Sequence, residues 1–175
     1  MSLDESGCYV AIDCGCGAGA DTEYLSQAGY AVHAFDIHPD TFSVCTERFH
    51  SHPNVYISHE AFETFSYPKA GIIIAHASLY FAEPKLFSAT WEKLERSIQP
   101  GGVFSGDFMG IRDSWANRPS GPTNPLTRAE VAALLTGFDV VTFDEHDKAG
   151  ITSFGKPKHW HIYSVMAKKR PTAAS

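Results

Sequence analysis

A glycine-rich segment close to the start of the chain restricts the fold more than any other feature. Residues 15–19 read Gly-Cys-Gly-Ala-Gly, after an apolar run that predicts a buried strand over 8–13 and before a helix predicted over 21–28. Because glycine has no Cβ, the backbone can turn sharply there and approach a ligand closely. Asp13 stands at the carboxyl end of the strand, directly before the glycines. This order is typical of a nucleotide-type cofactor site in an α/β fold.

Two classes of cofactor fit this segment. A dinucleotide fingerprint needs G-x-G-x-x-G/A and an acid about 20 residues further on. Four residues match that pattern loosely: Gly15, Gly17, Ala20 and Asp36. The third glycine, however, is Gly19, and the Asp13 carboxylate would repel a pyrophosphate. S-adenosylmethionine carries an ammonium and a sulfonium group and no phosphate. Asp13 therefore favours S-adenosylmethionine, with an NAD(P)-binding reductase as the alternative.

Four segments match, in order, the motifs of one family: Asp13-x-Gly15-x-Gly17-x-Gly19, Asp36 after the apolar run 31–35, the run 71–76, and 98–104 with its Pro-Gly-Gly turn. On these segments the chain, over about residues 8–169, resembles the class I S-adenosylmethionine-dependent methyltransferases. The resemblance implies methyl transfer to a small-molecule acceptor, which leaves S-adenosylhomocysteine. A module that binds S-adenosylmethionine without catalysis is a further alternative.

The residues expected at the cofactor lie at the carboxyl ends of the predicted strands, where open α/β sheets bind ligands. They are Asp13, Gly15, Gly17, Gly19, Asp36, Ile37, Glu60, Ala61 and His76. By the resemblance, Asp36 holds the ribose hydroxyls and Ile37 packs on the adenine. Glu60 or the Ala61 amide lies near the adenine amino group, and His76 approaches the methionine end.

Catalytic and substrate residues are predicted at the same rim. A general base is needed only if the acceptor must lose a proton early, and the candidates are His76, Asp107 and His159. The candidate acceptor contacts are Tyr80, Met109, Trp115 and His161. Residues 75–78 read Ala-His-Ala-Ser and lack the Asn/Asp-Pro-Pro-Tyr/Phe signature. This disfavours amine methylation of DNA bases or glutamine.

The segment 158–161, Lys-His-Trp-His, is unusual. In a strand His159 and His161 share one face and Trp160 takes the other. Two imidazoles do not complete a metal site and no third ligand is identifiable, so no metal is predicted. A similar pattern occurs in bacterial methyltransferases of the tellurite-resistance type, to which the chain has a second, weaker resemblance.

Strand and helix signals alternate and predict a Rossmann-like, doubly wound α/β sheet of about seven strands, mostly parallel with an antiparallel last strand. Strands are expected over 8–13, 31–36, 55–58, 70–76, 103–107, 138–143 and 160–167, and helices over 21–28 and 39–50, from Pro84, and after a capping box at Thr127. We predict one domain over 1–170 and a disordered tail at 171–175. Residues 108–126 are expected to be an irregular excursion that serves as a lid.

The composition of the chain limits the classes of partner that it is expected to bind. The net charge is −6 with no basic face, which argues against nucleic acid. No apolar run approaches membrane-spanning length, and the four cysteines demand no disulfide, so a cytoplasmic location is expected. No helix is predicted before the first motif. Either the cofactor site is more open, or it is covered by 108–126 or by a second subunit of a homodimer.

Overall fold

The computed structural model describes residues 3–116, 121–152 and 155–171. Its strands are β1 (Val10–Cys14), β2 (Ala31–Asp36), β3 (Val55–His59), β4 (Ala70–Ala75), β5 (Ile98–Gly110), β6 (Pro125–Leu126), β7 (Phe138–Ile151) and β8 (Pro157–Lys169). Its helices are α1 (Ala20–Gln27), α2 (Pro39–Phe49), α3 (Phe87–Ser97) and α4 (Arg128–Leu134), with single 3₁₀ turns at Leu79–Phe81 and Pro84–Leu86.

The strands form one sheet in the order β3-β2-β1-β4-β5-β8-β7, with the two-residue β6 beside β5. β1 to β5 are mutually parallel, whereas β8 runs antiparallel to both β5 and β7. This confirms the predicted fold class, and β6 accounts for the eighth strand. The order reverses between β1 and β4, so the carboxyl ends of these two strands flank the crevice where such sheets bind ligands.

Helices cover both faces of the sheet, as short parallel strands require. One apolar cluster includes Leu25 of α1 and Cys45 and Phe49 of α2. The other, larger cluster includes Trp91 and Leu94 of α3 together with residues of α4, β5 and β8. α4 begins at the predicted capping box, in which Thr127 and Glu130 bond reciprocally.

Three strand predictions were too short, as the bounds show: β5 was predicted over 103–107, β7 over 138–143 and β8 over 160–167. The predicted irregular segment 108–126 therefore begins as strand and ends in β6. Its residues 117–120 lie outside the described residues, as do 172–175 of the predicted tail. The antiparallel pairing of the last two strands was predicted correctly. Their hairpin continues as paired strand to Ile151 and Pro157, beyond the predicted ends of both strands.

The outer part of this hairpin escaped the sequence pattern because β7 is an edge strand. Nearly all its residues after Phe138 are exposed, and 144–148 are all charged or polar. Such a segment has no apolar alternation to reveal it. Among the described residues, no helix has both the length and the apolar character needed to cross a membrane.

Candidate functional site

The glycine turn joins β1 to α1 at the carboxyl edge of the sheet. Gly15, Gly17 and Gly19 have φ values of 68°, 54° and 81°, in the left-handed region that favours glycine. A Cβ on Gly15 would lie 2.5 Å from the Cβ of Ser78. The turn is tied to β2 because the backbone N–H groups of Gly15 and Cys16 both donate to the Phe35 carbonyl. The predicted glycine segment thus brings its backbone directly against the end of β4.

Asp36 ends β2 beside this turn. Its Oδ2 accepts from the Gly17 N–H at 3.1 Å and its Oδ1 accepts from the His38 N–H at 2.8 Å. Two backbone donors therefore fix the direction of the carboxylate, and each oxygen keeps a lone pair for a ligand hydroxyl.

A cavity of about 350 Å³ lies at the carboxyl ends of β1, β2 and β4. The predicted cofactor residues that line it are Gly15, Asp36, Ile37, Glu60 and Ala61, and the residues not predicted as contacts are Phe35, His38, Phe62, Glu63, Ala77, Ser78, Phe81 and Ala82. Ile37 is 68% exposed at the cavity, although it is apolar. An apolar, flat ligand surface would cover it. The lining combines one fixed carboxylate, an open glycine backbone and apolar walls, which fits an adenosine group.

Asp13 lies behind the glycine turn and does not line the cavity. Its carboxylate is buried and accepts a 2.6 Å hydrogen bond from the hydroxyl of Thr22. Burial raises the pKa of Asp13 to about 6, and this outweighs the hydrogen bond from Thr22, which lowers it. A carboxylate in this position gains from a nearby cation, because a positive charge offsets the cost of burying the negative one.

His76 and Asp107 stand next to each other in space at the ends of β4 and β5. Asp107 accepts from the backbone N–H of Ala77 at 2.9 Å and from the hydroxyl of Ser164 at 2.6 Å. His76 contacts Asp21 and Ser105 through its two ring nitrogens. Neither side chain lines the cavity, although Ala77 beside His76 does, and His159 lies out on the β7–β8 hairpin. The catalytic roles of these three residues stay predictions.

The predicted acceptor contacts need correction. Tyr80, Met109 and His161 are buried, with 3%, 0% and 0% of their surface exposed, so they present almost no surface to an acceptor. Each of the three side chains lies on the side of its element that packs against the rest of the protein. Trp115 is half-buried and its ring lies 6.2 Å from that of Phe81, which lines the cavity. Of the four predicted contacts, Trp115 alone keeps an accessible position near the cavity.

A buried ion pair fastens the segment after β5 to the hairpin. Lys158 pairs with Asp113, and both side chains are almost fully buried. The Lys158 ammonium also lies 3.9 Å from the ring centre of Trp160 and 4.5 Å from that of Trp115. Asp113 further accepts from the backbone N–H groups of Trp115 and His161. We call Asp113, Trp115, Lys158 and Trp160 the clamp. Sequence reasoning missed it because its partners are more than 40 residues apart.

His161 belongs to a second cluster beside the clamp. Ligand atoms of Glu145, Asp147 and His161 lie within 4.8 Å of one another, a grouping that could hold a metal ion. Arg112, however, already donates to Asp147 at 2.7 Å and to Glu145 at 3.1 Å. The hydrogen bond from His161 lowers the pKa of Glu145, and the hydrogen bond from Arg112 lowers that of Asp147. The guanidinium of Arg112 thus occupies the position that a metal ion would take between these side chains.

Comparison with known proteins identifies the family. A family model described as a methyltransferase domain matches residues 11–102, which is more than half of the chain. The chain belongs to this methyltransferase family, as predicted. Among curated proteins, no sequence matches the chain significantly.

Solved structures share the fold. TehB from Haemophilus influenzae has a TM-score of 0.77 at 14% identity, over 94% of this chain and 58% of TehB, so the chain spans little more than half of that protein. N-methyltransferase NodS from Bradyrhizobium japonicum, in complex with S-adenosylhomocysteine, has a TM-score of 0.72 at 16% identity, over 97% and 83%. The 1,6-didemethyltoxoflavin-N1-methyltransferase from Burkholderia thailandensis, with that molecule and S-adenosylhomocysteine bound, has a TM-score of 0.65 at 18% identity, over 94% and 72%.

Proposed function

We propose that this protein is a cytoplasmic enzyme that transfers a methyl group from S-adenosylmethionine to a small-molecule acceptor. The observation that carries the proposal is the Asp36 carboxylate, fixed by two backbone donors at the mouth of a cavity of about 350 Å³. Four free cysteines, with the Cys16 and Cys45 sulfurs 3.8 Å apart and not bonded, support a reducing compartment. The bound toxoflavin precursor of the Burkholderia relative supports a small acceptor.

The chain's own residues divide the work of cofactor binding. Asp36 accepts from the ribose hydroxyls, and Ile37 packs on the adenine, with Glu60 and the Ala61 backbone at its edge. The glycine turn lets the chain approach the methionine part, and Asp13 supplies negative charge behind it. The cofactor, when bound, supplies an electrophilic methyl group on a good leaving group. Catalysis then depends mainly on alignment of the acceptor with the methyl carbon and the sulfur.

The first experiment is calorimetric titration with S-adenosylmethionine, S-adenosylhomocysteine and NADH. We expect micromolar binding of the first two and none of NADH. Asp36→Ala should weaken S-adenosylhomocysteine binding about 100-fold, since it removes two hydrogen bonds to a charged group at roughly 1.5 kcal/mol each. Glu92→Gln, on the exposed side of α3, serves as the control. Binding of NADH alone, or unchanged affinity in Asp36→Ala, would contradict the assignment.

Transfer itself is tested with tritiated S-adenosylmethionine and a panel of small acceptors: a phenol, a primary amine, a thiol, tellurite and iodide. We expect label in at least one product. Tight cofactor binding without label in any of them would favour a non-catalytic binding module. Sedimentation at the same protein concentration tests the homodimer, which stays a prediction.

A further inference from the structure

Three polar side chains from different elements form a continuous chain at the carboxyl edge of the sheet. Asp21 is in the first turn of α1, His76 follows β4, and Ser105 is in β5. The Asp21 Oδ2 lies 3.0 Å from the His76 Nδ1, and the Ser105 Oγ lies 2.9 Å from the His76 Nε2. The side chains of Asp21 and His76 are each 42% exposed, so solvent and small molecules can reach them.

These contacts decide which ring nitrogen carries the proton. A carboxylate can only accept, so the Nδ1 of His76 must donate to Asp21. In the neutral ring the Nε2 is then bare and accepts from the Ser105 hydroxyl. His161 has the opposite arrangement, because its Nδ1 accepts from the backbone N–H of Arg112 at 3.0 Å. Its Nε2 therefore carries the proton and donates to Glu145. The one lone pair of the His76 ring is thus on Nε2, where it is held by an exchangeable hydroxyl, whereas that of His161 is on Nδ1 and is held by a backbone N–H.

The backbone next to His76 is held rigidly at the cavity. Ala77, which lines the cavity, has a φ of 49°, a conformation that costs a non-glycine residue energy and is found most often at functional sites. Asp107 holds the Ala77 N–H, and the hydroxyl of Ser78 donates to the Cys14 carbonyl at 2.6 Å. The other oxygen of Asp107 accepts from the Ser164 hydroxyl, so both oxygens are engaged and Asp107 supports the loop.

The acidic group in contact with His76 is Asp21 of α1, and the carboxylate of Asp13 in β1 also interacts with it electrostatically. Asp107 of β5 binds the backbone N–H of the next residue, Ala77. An ion pair as exposed as Asp21–His76 adds little to folding stability. A contribution to folding stability therefore does not explain why Asp21 and His76 are placed together.

An Asp-His-Ser chain also occurs in hydrolases, where the serine is the nucleophile. Ser105 cannot act in that way here. It lies inside β5 and is paired with Ile74 on one side and Met166 on the other. The backbone N–H groups around it serve the sheet and are not free to stabilise an oxyanion, as serine chemistry requires.

We propose that His76 is the general base of the methyl transfer, that Asp21 is its positioning residue, and that the acceptor is a hydroxyl or N–H compound. The inference rests on the proposed function. The acceptor displaces the Ser105 hydroxyl from His76 Nε2. As the acceptor oxygen or nitrogen bonds to the methyl carbon, this Nε2 takes the proton that the acceptor loses. The carbon–sulfur electron pair stays on sulfur, which turns the sulfonium into a neutral thioether. The Asp21 carboxylate stabilises the imidazolium until it releases the proton to water.

The test uses ¹⁵N NMR of the histidine rings in the S-adenosylhomocysteine complex, with His76 assigned by the His76→Asn variant. We expect the Nδ1–H tautomer for His76, its loss in Asp21→Ala, its retention in Asp21→Glu, and no change in Glu92→Gln. An Nε2–H ring in the unaltered protein, or the same tautomer in Asp21→Ala, would overturn the inference.

Binding and rate separate this role from the cofactor site. His76→Asn should leave the Kd for S-adenosylmethionine within about threefold and should lower transfer to a phenol at least 100-fold, within the range of general base catalysis. A tenfold weaker Kd in His76→Asn would place the ring on the cofactor and overturn the inference. Asp21→Asn should lower kcat with little change in KM. Failure of the unaltered protein to bind S-adenosylmethionine would instead contradict the proposed function itself.

Discussion

At the scale of single residues, two carboxylates of the site lie in opposite environments. Asp36 stands at the cavity mouth and accepts from two backbone N–H groups, whereas Asp13 is buried with a raised pKa. The first arrangement fixes the direction of the carboxylate. The second makes the charge costly until a cation comes near. The two acids therefore suit different parts of the cofactor, the ribose and the methionine ammonium.

The buried acid makes cofactor binding depend on pH. Because the pKa of Asp13 is about 6, the group is mostly protonated at pH 5 and mostly ionised at pH 7. A cationic ligand favours the ionised form, so we expect the Kd for S-adenosylmethionine to rise about tenfold from pH 7 to pH 5. Calorimetry over that range measures it. Asp13→Asn should bind weakly with a flat profile, and a profile as steep as that of the unaltered protein would exclude Asp13 as the cause.

The same group affects stability with the opposite sign. The folded chain holds a proton on Asp13 to a higher pH than the unfolded chain does, so this group lowers stability as the pH rises from about 4 through 6. The difference between the ordinary pKa of an aspartate and the value of about 6 for Asp13 corresponds to roughly 3 kcal/mol of folding stability, as an upper bound. Without ligand, Asp13→Asn should therefore have a higher free energy of unfolding than the unaltered protein at pH 7.5. At pH 4 the two proteins should have the same free energy of unfolding. Urea unfolding at both pH values checks this.

Replacement of Gly15 in the turn should be costly. An alanine there combines a positive φ with a Cβ 2.5 Å from that of Ser78. Gly7 is a matched control, because its φ is 70° and nothing lies within 4 Å of an added Cβ. We expect about 1 kcal/mol of destabilisation for Gly7→Ala and about 3 kcal/mol for Gly15→Ala, from urea unfolding. Equal decreases in the free energy of unfolding for the two variants would mean that Ser78 can move aside without cost.

At the scale of elements, the clamp joins the segment after β5 to the hairpin. Lys158→Met should leave the Asp113 carboxylate buried without its cation and cost about 3 kcal/mol. The exposed pair Arg96–Glu92 is the control, and Arg96→Met should cost less than about 1 kcal/mol. Urea unfolding gives both values, and proteolysis should cut Lys158→Met faster after β5. Adding Asp113→Asn to Lys158→Met should restore part of the loss.

Elements with a buried face were predictable from the sequence, and elements without one were not. β1, β2 and β4 show as apolar runs because both their faces are covered. The outer part of β7 forms only through its pairing with β8, and its polar residues give no local signal. In the site, the glycine turn and Asp36 follow from a local motif. The clamp and the Asp21–His76–Ser105 chain depend on contacts across the sheet, which spacing along the sequence cannot reveal.

At the scale of the whole molecule, the family match and the cavity lie in the same half. The matched residues 11–102 include every residue that lines the cavity, whereas the clamp lies entirely after them. Asp107 and Ser164 connect the halves through the backbone of Ala77. We therefore expect the first half to hold the cofactor and the second half to shape the acceptor side.

Cofactor binding should stabilise the molecule as a unit. A ligand at 100 times its Kd adds about 2.7 kcal/mol to the free energy of unfolding, which for a chain of this size is a rise in Tm of roughly 5 to 10 °C. We expect such a rise with S-adenosylhomocysteine, by differential scanning calorimetry, and none with NADH. Two separate transitions, with only the first one shifted, would show that the halves unfold independently.

The clamp also has an optical consequence. Two of the three tryptophans, Trp115 and Trp160, sit beside the Lys158 ammonium, while Trp91 is packed against Phe104 in the interior. Indole emission moves to longer wavelength when water replaces a packed environment. If the segment after β5 separates from the hairpin, the emission of Trp115 and Trp160 will therefore shift to longer wavelength. The emission of Trp91 will not change. The intrinsic fluorescence of these tryptophans therefore reports movement between the two segments without an added label.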